Sequence, residues 1–403
     1  MRILVVNWEL PTFDRTSGGL RLFTLLVLLQ RAGVTCDYLL MGGEKEASRY
    51  GQSEFDRYVQ EMSSHGIALR SGGLLEALKD TAYDAVLFEW FSGAEQFGAW
   101  VRVIQPQAAV VVDSVDLSYL RWAAMADVTG RQEDRLRADD VKRRELRTYR
   151  QSDLVLTLTD EETREVAREL PGLRTFEVPN IHQLPTMERA ESRTPTVLFI
   201  GSFTHEPNVD AVKWVTREIW PAVHARLPEA RLLVIGQRAP EDLLPPQCNG
   251  VEVLGHVPST LPYLARAWVS IAPLRFGAGM KGKVGEALAA GVPLVTTSFG
   301  AQGYGLVDGE SAFVEDSADG FSRAVLTLLA DAAMRQRFAE RGRAIVAQCF
   351  SHEAVAARVP SLKAAMADAR PAKRPKLLHL RRLAFEIAQW WQRSVAWRLR
   401  QHR

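Results

Sequence analysis

Short β-branched runs alternate with helical-period stretches along this chain, and they do so in two successive series. In the first, strand-like runs at 3–6, 37–40, 85–88, 110–112 and 154–158 are interleaved with helical patterns such as 20–31. The second has strand-like runs at 197–200, 231–235, 251–254, 269–272 and 293–296, with a helix at about 209–225 after its first strand. Strand-helix alternation of this kind predicts a parallel sheet covered by helices on both faces. Two such series predict two α/β sheets, joined near residue 185 with the segment VPNIH at 178–182 as the hinge. Open α/β sheets bind ligands outside the carboxyl ends of their strands, so the cleft between the two units is the expected site. The expected organisation is an N-terminal Rossmann-like domain at 1–185, a C-terminal one at 186–350, a crossover helix at 351–369 and a basic amphipathic tail at 370–403.

A length of 403 residues exceeds what one hydrophobic core usually organises, which agrees with two domains. The net charge of +2 conceals an asymmetry: residues 370–403 carry ten Lys/Arg and one acid, Glu386, leaving 40 basic and 47 acidic residues in the body. An acidic body argues against nucleic acid as a partner. Cys36, Cys248 and Cys349 lie far apart with no CxxC spacing, which argues against a disulfide scaffold or zinc ribbon and favours reduced thiols in the cytoplasm. The first residues, MRILVVNWEL, are too short an apolar run for a signal peptide, and the run at 20–29 is broken by Arg21 and Thr24. Neither exported nor transmembrane character is expected.

The chemistry concentrates in APLRFGAGMKGKVGEALAAGVPLVTTSFGAQG, residues 272–303, which reads as strand, glycine-rich loop, helix, strand and a second glycine-rich loop. Gly277, Gly279 and Gly282 allow the backbone close to a ligand, and Lys281 and Lys283 stand where the helix begins. Ammonium groups there join backbone N–H groups and the positive helix end in holding an anion, and a diphosphate suits that environment. Glu286 follows within the first turns, where a carboxylate can accept hydrogen bonds from ribose hydroxyls. Each residue alone reads more readily as a solvated surface group or a helix-start acid. The combination is far more specific than a lone glycine-rich loop.

With these residues in view, the stretch at 196–350 resembles the donor domain of glycosyltransferase family 4 and the related group 1 transferases. GSFTHEPNVDAVKW at 201–214, LLVIGQ at 232–237, VEVLGHV at 251–257 and above all GKVGEALAAGVPLVTT at 282–297 carry the resemblance. It implies a GT-B fold, two Rossmann-like domains facing across a cleft with a C-terminal helical extension. It also implies transfer of a sugar from a nucleoside-diphosphate donor with retention at the anomeric carbon. By the same resemblance Glu286 is the second glutamate of a paired-glutamate motif and holds the ribose, Lys281 and Lys283 serve the diphosphate, and Gly201 and Arg275 join the donor site. Ala278 occupies the place where many relatives carry the first glutamate, which leaves the contact to the sugar unassigned.

The N-terminal half is similar to the same superfamily through SGGLRLFTLLVLLQRAG at 17–33 and VVVDSVDLSYLR at 110–121. Gly18 and Gly19 are expected to face the donor phosphates across the cleft. Val115 stands near a position where many relatives have a histidine, leaving Asp113 and Asp116 as polar groups near the transferring sugar. Asp116, with Lys281, is the expected catalytic residue, although Asp113 ending a strand and Asp116 capping a helix explain both equally well. The spacing DxxD supplies no metal ligand pair of the DxD kind, so no metal or other cofactor is expected and the lysines take the cation's place. His182, His205 and His256 are scattered singly and read as structural.

The expected activity is transfer to a hydroxyl acceptor, a glycan or a lipid-linked intermediate in polysaccharide assembly. A sugar-nucleotide epimerase of the same fold, or a catalytically degenerate sugar-binding protein, are the alternatives. In the tail, Leu380, Leu383, Ala384, Ile387, Trp390, Trp391 and Val395 recur at helical spacing among ten cations. That face either packs on the protein body or lies at an anionic membrane surface; the excess of cations favours the membrane, making the protein peripheral at its inner face.

Overall fold

Alternate residues of the central strands enter two different cores, so each sheet has to be covered on both sides. In β1 (Arg2–Asn7), Ile3 and Val5 pack into one hydrophobic cluster, while Leu4 and Val6 pack into another on the opposite face. The remaining strands of this sheet are β2 (Thr35–Leu40), β3 (Ala68–Arg70), β4 (Ala85–Glu89), β5 (Ala109–Asp113), β6 (Leu154–Thr157) and β7 (Thr175–Glu177). All pair in parallel in the order β3-β2-β1-β4-β5-β6-β7. This computed structural model describes residues 1–245 and 248–369; the tail at 370–403 and the amphipathic helix expected there lie outside the described residues.

The second sheet holds β8 (Thr196–Ile200), β9 (Arg231–Ile235), β10 (Val251–Gly255), β11 (Val269–Ala272), β12 (Leu294–Thr296) and β13 (Phe313–Val314). Its order is β10-β9-β8-β11-β12-β13, again all parallel. In both sheets the chain steps outward from the first strand, then returns to its other side, at β4 and at β11. Such reversals open a crevice at the carboxyl ends of the flanking strands.

The helix expected at about 209–225 is interrupted: it runs Glu206–Trp214, widens into a π-turn over Val215–Ile219 and resumes at Trp220–Arg226. Pro221 accounts for the break, because it cannot donate to the preceding turn.

The chain crosses between domains twice. The hinge meets the end of the second domain where His182 N donates to Phe350 O at 2.8 Å, and His182 bridges to Ser351. Beyond that point, helix Val359–Asp368 returns to the first domain and buries Val359, Leu362 and Met366 in the cluster that contains Leu25 and Val178. Burying three such side chains contributes on the order of 5 kcal/mol. Lys363 Nζ donates to Ala32 O at 3.1 Å, and Arg358 pairs with Glu177 at 3.0 Å. None of the described helices is long and apolar enough to cross a membrane.

Candidate active site

Two helix N-termini meet across the crevice. In the first domain, helix Ser17–Arg31 starts at the carboxyl end of β1's connection, with Thr16 Oγ1 accepting from Gly19 N at 3.1 Å. From the second domain comes helix Gly282–Ala289, with Lys281 as its N-cap. They approach so closely that a Cβ on Gly282 would lie 2.2 Å from Ser17 Oγ. Gly19 has no room for a side chain against the Thr12 backbone, and Gly18 faces Val115. Partial positive charge from both helix ends therefore converges on one place.

The loop before Gly282 turns through left-handed backbone at Gly277 (φ 141°) and Gly279 (φ 66°), conformations that favour glycine. It delivers Lys281, whose Nζ donates to Gly279 O at 2.5 Å and Gln302 Oε1 at 3.1 Å. Lys283 donates to Asn208 Oδ1 and sits 4.6 Å above the buried Phe199 ring. Gly201 makes this possible, since its Cβ would fall 2.8 Å from Lys283 Nζ. Withdrawal from water pushes Lys283 down to about 7, with the neighbouring Lys281 cation adding to the effect and Glu286 opposing it. Lys281 is pushed down to about 8, mainly by burial, against the pull of Asp116 and Glu162. Glu286 accepts from Thr260 Oγ1, and burial raises its carboxyl above the ordinary range despite that bond and Lys283.

A second layer fixes the lysine loop to the hinge. Tyr304 OH donates to Lys281 O at 3.0 Å and meets His182 Nε2 at 3.0 Å, while Asn180 Nδ2 donates to Met280 O at 3.1 Å. His182 is buried, which lowers its imidazole to about 4 and keeps it neutral. Its ring lies on Gly285, where a Cβ would come within 2.0 Å of Nε2.

From the first domain, the turn after β5 closes the site. Val115 adopts φ 59°, left-handed backbone that a β-branched residue rarely tolerates. Strain of this sort collects at functional sites. Its carbonyl and the Asp116 Cβ lie against Gly279. Asp116 pairs with Arg121 at 3.2 Å; burial raises its carboxyl, while Arg121 and Lys281 pull the other way. Glu162, in the first turn of helix Asp160–Glu169, accepts from Leu158 N through Oε2, whereas its buried Oε1 has no hydrogen-bond partner. Burial and the Asp116 charge raise it to about 7. His205 also belongs here, its imidazole lowered by burial, Arg121 and Lys283.

The expected residues are thus sorted by the fold. Gly18, Gly19, Gly201, Lys281, Lys283, Glu286 and Asp116 gather around the crevice. Asp113 does not reach it, because it is fully buried and bonded to Arg21 at 2.7 Å, whose guanidinium also donates to Val178 O. Arg275 is held by Asp210 through a fork of 2.9 and 2.5 Å from Nε and Nη2 and lies over Trp214, so two of its three nitrogens are engaged within its own domain. Sequence reading missed Glu162, Tyr304 and Asn180 and took His205 and His182 as scattered. Only spatial proximity joins them to the lysine loop. Among the described residues no three His, Cys, Asp or Glu side chains gather as a metal site.

Two parallel Rossmann-like sheets facing across this crevice define the GT-B class. Sucrose-phosphate synthase from Thermosynechococcus elongatus superposes with a TM-score of 0.66 at 15% identity, covering 92% of this chain and 100% of that one. Anabaena Alr3699/HepE, solved in complex with UDP and glucose, superposes with a TM-score of 0.62 at 14% identity, covering 90% and 99%. Residues 194–331, in the C-terminal half of this GT-B fold, match the family Glycosyl transferases group 1. The lipopolysaccharide core biosynthesis glycosyltransferase LpsE of Rhizobium meliloti (strain 1021) is 31% identical over 139 residues, 32% of this chain. That match spans 41% of the relative's length.

Proposed function

We propose that the protein is a glycosyltransferase that moves a sugar from a nucleoside-diphosphate donor to a hydroxyl of a glycan or lipid-linked acceptor, with retention. The observation that carries this reading is the pair of half-buried lysines, Lys281 and Lys283, at the start of helix Gly282–Ala289, opposite a second helix N-terminus and with Glu286 three residues beyond Lys283. Such a cradle suits a diphosphate, and Glu286 suits the ribose beside it. Positive charge aimed at the departing nucleoside diphosphate stabilises charge that grows in the transition state, where binding energy accelerates the reaction. The similarity to LpsE supports an acceptor in cell-surface polysaccharide assembly.

Lys283→Ala and Glu286→Ala are each expected to lower transfer on the order of a hundredfold or more, with unchanged circular dichroism. Near-native transfer by either variant removes the donor site from this place. Turnover is expected to persist in EDTA; loss restored by Mg²⁺ or Mn²⁺ contradicts a lysine-based mechanism. Donor incubated alone separates this activity from epimerisation, which returns an isomerised sugar nucleotide. Action at the inner face of an anionic membrane is part of the proposal, through the ten cations and Trp-bearing apolar pattern of 370–403. A chain ending at Ala369 is expected to stay folded and lose binding to anionic liposomes; unfolding of that chain, or indifference of the full chain to such liposomes at low salt, rejects the membrane role.

A further inference from the structure

Beside the crevice, outside the carboxyl ends of β4 and β5, lies a cavity of about 290 Å³ that the donor site does not use. Ligand sites begin at roughly that size. Its walls combine two half-buried indoles, Trp90 and Trp122, with three guanidiniums, Arg121, Arg137 and Arg144, against one carboxylate, Asp140. The wall thus carries more guanidinium than carboxylate on a body that is acidic as a whole, with 47 acidic against 40 basic residues outside the tail, although Asp116 and Glu95 just outside it pair with two of the arginines.

The arginines are not equivalent. Arg121 is spent on Asp116 at 3.2 Å, and Arg144 grips Glu95 at 2.6 Å and reaches Asp140 at 3.7 Å. Arg137 lies 3.8 Å over the Trp122 ring and forms no ion pair among the described residues. Its side chain is exposed, so its donors face solvent and any occupant of the cavity. Trp90 is held at φ 71°, left-handed backbone that a bulky side chain rarely adopts, at the start of helix Phe91–Ile104. Aromatic faces offer a platform for the C–H face of a sugar ring, and a guanidinium fork matches a phosphate or carboxylate in two parallel bonds. Arg121 joins the two sites, because it lines this cavity and pairs with the Asp116 that faces Lys281.

We infer that this cavity holds an acidic sugar unit of the acceptor, one bearing a phosphate or a carboxylate, with Arg137, stacked on Trp122, reading the anion and Trp90 supporting the ring. The inference rests on the transferase reading above and names the class of acceptor that this reading leaves open. Fluorotryptophan-labelled protein, with Trp90 and Trp122 resonances assigned by substitution to phenylalanine, is titrated with glucose 6-phosphate, glucuronate, glucose and inorganic phosphate. At least one of the two acids is expected to shift both resonances with about tenfold higher affinity than glucose, as one charge-assisted bond allows. Which acid does so distinguishes a phosphorylated from a uronic unit. In Arg137→Gln the preference over glucose is expected to disappear, while affinity for nucleoside diphosphates is retained. Equal binding of glucose and the acids, the full response to inorganic phosphate alone, or no response to any of the four overturns the proposal. Nucleoside-diphosphate binding in the same samples reports separately on the donor site, so the two readings fail independently.

Discussion

Replacing Gly285 by alanine sets two effects of opposite sign against each other. Helix propensity alone favours alanine by about 1 kcal/mol in a helix interior. At this position the new methyl would stand 2.0 Å from His182 Nε2, 2.4 Å from Cε1 and 2.6 Å from Cδ2, so the whole ring has to move rather than one flexible end. The ring is buried and bonded to Tyr304 OH at 3.0 Å. Overpacking costs about 1–3 kcal/mol and breaking a buried hydrogen bond about 1–3 more, so the balance is a loss of about 3 kcal/mol. A loss of that size lowers the melting temperature by about 6–12 °C for a unit of this length. Transfer falls too, because Tyr304 also holds Lys281 O in place. Calorimetric melting of Gly285→Ala in the native and His182→Ala backgrounds is the assay. With the ring removed, the same substitution is expected to become neutral or stabilising by about 1 kcal/mol, the helix term alone. Stabilisation in the native background refutes the wedge between hinge and lysine helix.

Affinity for nucleoside diphosphates is expected to fall as pH rises through 7 to 8, because Lys283 and Lys281 lose their protons at about 7 and about 8 and an anion binds the protonated forms. Binding at pH 8 therefore takes up protons, visible as a dependence of the calorimetric heat on buffer ionisation, while by pH 6 both lysines are already charged and their share of the uptake is gone. Acid is expected to weaken the fold between pH 6.5 and about 4, since His182 stays neutral in the folded chain while the unfolded chain binds a proton there; urea midpoints across that range check it. Gly279→Ala is expected to weaken nucleoside-diphosphate binding and lower transfer, because φ 66° strains alanine in the loop that delivers Lys281 and the new Cβ would stand 3.1 Å from that of Asp116. Asp113→Ala leaves the Arg21 charge buried without its carboxylate, and a loss of about 3–5 kcal/mol is expected in denaturant titrations.

The strand cores of both sheets were legible because parallel strands buried on two faces need unbroken β-branched runs, as at Val110 to Val112. The edge strands β3, β7 and β13 were not, being two or three residues long and lacking that signature, ALR, TFE and FV. Lys281, Lys283 and Glu286 could be found because one loop and one helix turn carry all three. Glu162 could not: TDEETREV reads as an ordinary capped helix start, which it also is, with Thr159 accepting from Glu162 N. Its place beside Asp116 and Gly279 depends on how the two domains meet. Arg21 looked like a polar interruption in an apolar helix, yet it is 1% exposed and ties that helix to β5 and the hinge. Arg275 likewise has a partner that the sequence does not show, Asp210, 65 residues earlier.

Titration calorimetry of the full chain with UDP, GDP and ADP, repeated on Lys283→Ala and Glu286→Ala, tests the central claim that the second domain binds a nucleoside diphosphate. One of the three is expected to bind at micromolar concentrations, with about tenfold or greater weakening in each variant, the share of one charged hydrogen bond. Absence of binding by all three, or binding that both variants retain in full, contradicts the account.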